Sequence, residues 1–194
     1  LKLRRAIGDK EKIGFTLNNL GVLYKEFNYF EEALEMLLNA VAIFEELGLK
    51  EDLADPLNNI GLVYEEKGQL DLALSYLEKS LEIELKLNND RGIAYSLNNM
   101  GALYRKLDMH DKSLRQLNNA LEIAKKIGEV SLISRVHREI AENHFDLQEF
   151  VIAKVHINLS LKSSSQIKDK EQQKRNNQLL AKIHTATGLT LKHN

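Results

Sequence analysis

Three asparagine pairs, Asn18-Asn19, Asn58-Asn59 and Asn98-Asn99, stand 40 residues apart in this chain. A carboxamide side chain carries both a hydrogen-bond donor and an acceptor, so a rank of them can match the backbone of an extended peptide whatever that peptide's sequence. Asparagine is a mediocre helix former, and six of them at fixed places inside helical sequence need a reason. Neighbouring helices about 10 Å apart would offer one asparagine for roughly every three residues of extended chain, at ~3.3 Å each. The competing use of such an amide, above all of Asn19, Asn59 and Asn99, is to bond an adjacent helix and fix its packing.

Three arginines, Arg105, Arg135 and Arg138, form a second candidate set, because a guanidinium pairs bidentately with a carboxylate or a chain terminus. The histidines are His110, His137, His144, His156, His184 and His193. They show no metal-ligand spacing, and His144 and His184 occupy slots where earlier units hold tyrosine, which points to packing. No phosphate loop and no nucleophile motif is present, so the sequence predicts neither catalysis nor a cofactor nor a metal. The tyrosine slots themselves, Tyr24, Tyr64 and Tyr104, read as core.

The asparagines lie within three near-identical stretches that start at Leu17, Leu57 and Leu97 and end at Tyr24, Tyr64 and Tyr104. A register held over that length marks each copy as one structural unit beside the next. Ile13, Leu17, Leu20 and Tyr24 fall at helical spacing, as do Leu53, Leu57, Ile60 and Tyr64, then Ile93, Leu97, Met100 and Tyr104. Gly21, Gly61 and Gly101 share that face in mid-helix and imply close approach of another helix. At 100° per residue from Leu17, the residues Phe15, Asn18, Asn19, Val22 and Glu26 form a second stripe about 100 to 200° away. The same stripe holds Asp55, Asn58, Asn59, Leu62 and Glu66, then Tyr95, Asn98, Asn99, Ala102 and Lys106, with Arg105 at its edge. The fourth unit contributes Arg135, Arg138, Glu139 and Glu142. These stripes are the predicted ligand groove.

Gly8, Gly48, Asn88 and Gly128 recur at intervals of 40 and are residues that accept the left-handed conformation closing a helix. Shorter breaks fall around Asn28, Gly68, Asp108 and Gln148. After each break a second helix carries Ala33, Leu37 and Ala40, then Ala73, Leu77 and Ser80, then Ser113, Leu117 and Ala120. Pro56, the single proline, is tolerable near a helix start. Residues 1–8 read as the end of a preceding helix, 9–48, 49–88 and 89–128 as full repeats, 129–168 as a degenerate repeat and 169–188 as a capping helix or a junction to an output domain. Beyond Leu161 the pattern loosens through Ser163-Ser164-Ser165 and the charged run Lys168 to Arg175. Leu1 opens the chain without a basic-then-apolar leader, which suggests an excerpt from something longer.

A glycine four residues after an apolar one and three before a tyrosine, then alanines twelve and nineteen residues after the glycine, resembles the tetratricopeptide repeat. The period of 40 exceeds the usual 34, and leucine stands where an aromatic often opens the motif. Long-period arrays of this style resemble those of kinesin light chains and of bacterial signalling proteins. The resemblance implies an all-α fold, a right-handed superhelix of antiparallel helix pairs, and a non-catalytic module that binds a protein or an extended peptide as an adaptor or regulatory segment. The alternative it implies is a self-associating regulatory domain, a homo-oligomer that controls a fused kinase or nucleotide cyclase.

Composition agrees with a foldable chain of 43% hydrophobic and 28% charged residues. No apolar run approaches the ~18 residues that span a bilayer, so no membrane association is expected. Zero cysteines fit a reducing, cytoplasmic setting. Residues 1–97 hold 11 Lys+Arg against 18 Asp+Glu, while 98–194 hold 16 against 10, which predicts an acidic and a basic end. The positive charge is modest and not interleaved with aromatics, which argues against nucleic acid as a partner.

Overall fold

The computed structural model describes residues 2–190, with side chains from 9 to 188. Leu1, His193 and Asn194, which enter the sequence reading, lie outside the described residues. The helices are α1 (Lys2–Glu26), α2 (Phe30–Leu47), α3 (Ala54–Glu66), α4 (Leu70–Leu87), α5 (Asp90–Lys106), α6 (His110–Lys126), α7 (Val130–Asp146), α8 (Phe150–Gln166) and α9 (Lys170–Thr190). A 3₁₀ turn, Lys50–Leu53, precedes α3, and Pro56 falls in that helix's first turn. The contacts gather into two compact units, residues 1–99 and 100–194, and the division falls inside α5. Contacts in a repeat array are local to neighbouring helices, so no single core ties its ends together.

The turns follow directly from backbone chemistry. Asn28, Gly48, Gly68, Asn88, Asp108, Gly128, Gln148 and Lys168 all have positive φ, between 51° and 74°, at intervals of 20 residues. After each, the next amide reaches back to close the helix, as in Leu49 N–H to Phe44 C=O at 2.9 Å and Glu149 N–H to His144 C=O at 2.8 Å. This six-residue closure satisfies carbonyls that a helix end otherwise leaves bare. Gly8 departs from the series. It sits inside α1 rather than ending a helix.

Within the first unit, α1 packs on α2, α2 on α3 and α3 on α4. Ala33, Leu34, Leu37, Ile60 and Val63 form a buried cluster with Phe30, Val41, Tyr64 and Tyr76 against it. Gly61 lets α4 come close: a Cβ there would meet Leu77 Cγ at 2.9 Å. In the second unit α6, α7, α8 and α9 pack in succession, around Ala141, Ala153, Ile157, Leu179 and Ile183. Buried hydroxyls cross-link this unit. Ser134 and Ser160 each donate to the other's backbone carbonyl, at 2.9 and 2.6 Å, and Asn143 and Asn176 donate to Ser113 and Ser160, both at 2.7 Å.

Two expectations change in detail. The sequence from Ser163 to Arg175 does not loosen: α8 continues to Gln166 and α9 takes up the charged run from Lys170, with Ser164 fully buried. The apolar face of α1 is open, with Ile13 50%, Leu20 37% and Tyr24 36% exposed, and among the described residues of the first unit α1 packs against α2 and α3.

Candidate protein-binding surface

The asparagines are held by one another. Asn59 donates its side-chain amide to the side-chain carbonyl of Asn18 at 2.9 Å, and Asn99 donates in the same way to Asn58 at 2.9 Å. Each bond joins successive repeats with an offset of 41 residues, so the pairs lock neighbouring helices into register. Their exposure is graded. Asn19 is exposed and Asn18, Asn58 and Asn59 are half-buried, whereas Asn98 and Asn99 are 3% and 6% exposed. The structure therefore withdraws Asn98 and Asn99 from the predicted ligand surface. Asn98 donates to Asn99 at 3.3 Å, and its own buried carbonyl oxygen has no hydrogen-bond partner among the described residues.

The bonding leaves chemistry available on the surface pairs. An asparagine that only accepts retains two N–H donors, and one that donates once retains its carbonyl. Asn18 and Asn58 thus keep donors, and Asn59 keeps an acceptor. Beside them, Phe15 is 40% exposed with its ring centroid 5.1 Å from that of Phe44, and Val22 and Leu62 are half-buried. Tyr95 is half-buried with the Arg91 guanidinium 5.8 Å from its ring centre. Glu26, Asp55 and Glu66 are exposed on the same stripe. Burial raises the Asp52 carboxyl above the usual carboxylate range, helped by Glu11, Glu51 and Asp55, so negative charge is crowded at the start of α3.

The arginines are a different case, and the predicted acid-binding set does not stand as read. Arg105 donates through Nη2 to Glu142 at 2.5 Å and through Nη1 to Asp146 at 2.9 Å. Arg138 donates to Glu142 at 2.6 Å and to Glu139 at 2.5 Å. Three carboxylates thus face two guanidiniums, and the cluster offers no surplus positive charge. Burial works against the charge on Arg105, yet Glu142, Asp146 and Glu139 raise its pKa above the ordinary arginine value. Burial also raises Glu142, with Glu139 adding to the shift while Arg138 and Arg105 oppose it. Arg135 is half-buried. Arg105 to Asp146 is again an offset of 41, the same arithmetic as the asparagine bonds. That recurrence is the signal by which the pairing could have been read from sequence.

The histidines divide. His144 is half-buried and its Nδ1 lies 2.6 Å from Glu149, whereas His184 is exposed and does not pack in a core. Tyr104 is buried, and the Tyr64 ring stacks on Tyr76 with centroids 5.5 Å apart. Among the described residues no three acidic, histidine or cysteine side chains are placed to hold a metal. No described helix is long and apolar enough to cross a membrane.

Helical hairpins at a fixed period, closed by left-handed residues and packed glycine against leucine, have a counterpart in known sequences: residues 16–47 and 52–126 match tetratricopeptide repeat families. The chain belongs to the tetratricopeptide repeat family. Its fold is accordingly an all-α helical-repeat solenoid, an architecture that serves as a protein-interaction module. No curated protein matches the sequence. Solved structures do. A Rap protein complexed with Competence and Sporulation Factor aligns at TM-score 0.83 and 18% identity, over 93% of this chain and 50% of that one. Aspartyl phosphate phosphatase F from Bacillus subtilis aligns at 0.80 and 11%, over 92% and 48%. A kinesin light chain of Podosopora anserina with nearly identical TPR-like repeats aligns at 0.71 and 17%, over 94% and 90%. At these identities the likeness is one of fold, and the chain spans about half the length of the first two.

Proposed function

We propose that the first unit binds an extended, basic segment of a partner protein along the asparagine-bearing side of α1 and α3. The observation that carries this is the Asn59–Asn18 bond. It holds two half-buried carboxamides in a fixed orientation, with donors on Asn18 and an acceptor on Asn59 left over for a peptide backbone. Asn19, Asn58, Phe15, Val22 and Leu62 flank them and supply further polar and apolar contact. Glu26, Asp55 and Glu66 set the preference for lysine or arginine in the ligand, since complementary charge steers and selects partners. The Rap protein that shares the fold is complexed with Competence and Sporulation Factor, which is consistent with a bound partner on such a scaffold.

The test is a displayed library of random peptides selected on the purified chain, followed by affinity measurement of the recovered sequences. They should be rich in lysine and arginine. Replacing Asn19 and Asn59 by alanine should weaken them about tenfold, or ~1.4 kcal/mol, with little change in melting temperature. Recovery of acidic peptides, or a large loss of stability with affinity intact, would overturn the reading.

A further inference from the structure

Helix α8 carries a ridge that its sister helices lack. Val151, Val155 and Leu159, spaced at four residues, are 79%, 55% and 40% exposed, and Ile152 beside them is 42% exposed. Residues spaced at four lie one above another along a helix. The three full repeats supply an internal control. At the positions of Val151, Val155 and Leu159 they hold Glu31, Glu35 and Asn39, then Asp71, Ser75 and Lys79, then Asp111, Arg115 and Asn119. Nine polar residues thus stand where the fourth unit has three branched aliphatics. The opposite side of α8 is an ordinary core face, with Ala153, Ile157, Ser160 and Ser164 buried, so the outer aliphatics stand apart from the buried core of the second unit. Leaving them in water forgoes burial that the sister helices never require.

The charges on α8 say what would cover this ridge. Its sequence, from Phe150 to Gln166, contains Lys154 and Lys162 and no acidic residue. A second copy laid on the ridge would set lysine against lysine, which is unfavourable. A helix with an apolar stripe flanked by glutamate or aspartate meets both features at once. We infer that α8 is a docking surface for an acidic amphipathic helix of a partner protein. Ridges of residues four apart interdigitate with the same ridges of another helix, which sets the crossing at about −50°. Docking buries Val151, Val155 and Leu159 and brings the partner's carboxylates to Lys154 and Lys162. The inference rests on α8 alone and does not depend on the asparagine-bearing stripe of α1 and α3.

The experiment uses the whole chain and two synthetic helical peptides of about four turns, each with leucine at four-residue spacing, one flanked by glutamate and the other by lysine. The acidic peptide should bind with micromolar affinity and the basic one at least tenfold more weakly. Val151→Glu with Val155→Glu, which restores the residues of the first repeat, should abolish binding while circular dichroism and melting temperature stay unchanged. Binding should also weaken in about 1 M salt, where the screening length is about 3 Å. Equal binding of both peptides, or of the acidic peptide to wild type and variant, would overturn the inference. So would failure of the acidic peptide to bind, capture of anionic vesicles in preference to it, or a ridge-dependent dimer in sedimentation.

Discussion

Asn99 and Asn58, 41 residues apart in sequence, share a side-chain hydrogen bond of 2.9 Å, the same bond that joins Asn59 to Asn18. The two bonds differ in their surroundings. Asn99 is 6% exposed, so removing its acceptor strands a buried amide, whereas Asn18 and Asn59 are half-buried and water can take the missing place. Asn58→Ala should cost about 1–3 kcal/mol and Asn18→Ala about 0.5 kcal/mol, as read by urea midpoints. A double-mutant cycle over Asn58 and Asn99 should return a coupling near 1 kcal/mol. Equal losses for the two single variants would show that the pairs do not differ in burial.

Gly101 faces Leu117 so closely that a Cβ would lie 2.6 Å from Leu117 Cγ. Leu117 is fully buried and has little room to move. Alanine would gain about 1 kcal/mol of helix propensity, but overpacking of this kind costs roughly 1–3 kcal/mol. Gly101→Ala should therefore be destabilising on balance. Gly188 in α9 meets nothing within 4 Å, and Gly188→Ala should be stabilising. Opposite signs for the two substitutions in thermal denaturation would confirm that packing, not propensity, selects the mid-helix glycines.

How much of this was legible in the sequence follows from what a repeat records. Gly48, Asn88 and Gly128 announce their turns because the left-handed backbone favours glycine and asparagine. Gln148 and Lys168 adopt the same backbone with no such signal, and only the register gives them away. Leu57 and Ile60 read as core, and they are. Ile13 and Leu20 read the same way and are exposed, because periodicity reports a helix's apolar side and not whether a neighbour covers it. The arginines misled for a related reason. Arg105 finds Glu142 and Asp146 on the following repeat, and a list of basic residues says nothing of the carboxylates facing them. The asparagine stripe was visible as a stripe, but the mutual bonding within it depends on side-chain geometry between helices.

The left-handed positions give a third prediction. Gln148 has φ 61° and Gly68, at the equivalent turn, φ 74°. A side chain in this conformation costs roughly 1–2 kcal/mol relative to glycine. Gln148→Gly should raise stability by about 1 kcal/mol and Gly68→Gln should lower it by a similar amount, with both helix pairs retained by circular dichroism. A destabilised Gln148→Gly variant would mean that the glutamine side chain stabilises its turn by more than the backbone strain.

Buried histidines and a buried carboxylate shift stability with pH in opposite senses, which yields the last prediction. In the second unit His137 Nδ1 lies 3.1 Å from His156 Nδ1, and the His144 ring stacks on His156 with centroids 5.9 Å apart. Burial, followed by His156 and Lys125, lowers His137 to about 4, and burial, followed by His144 and Lys125, lowers His156. Unfolded, each titrates near 6.5. Between those values the unfolded chain binds more protons than the folded one, so stability is full above pH ~6.5 and is lost as pH falls toward 4, by up to about 3 kcal/mol through His137. His137→Phe keeps a ring and removes the proton, and it should flatten this acid limb. In the first unit Glu84 is 6% exposed and accepts from Asn89 at 2.7 Å, while burial raises its pKa despite that bond, with Asp55 adding to the shift. Here the folded state holds the proton more tightly, so stability falls as pH rises from about 4.5 through the raised value and stays lower above it. Glu84→Gln should therefore be more stable than the parent at neutral pH and gain nothing near pH 4. Melting curves collected from about pH 4 to 8 test both. A His137→Phe chain that lost as much stability on acidification as its parent, or a Glu84→Gln gain that persisted at low pH, would remove these groups as the source of the pH dependence.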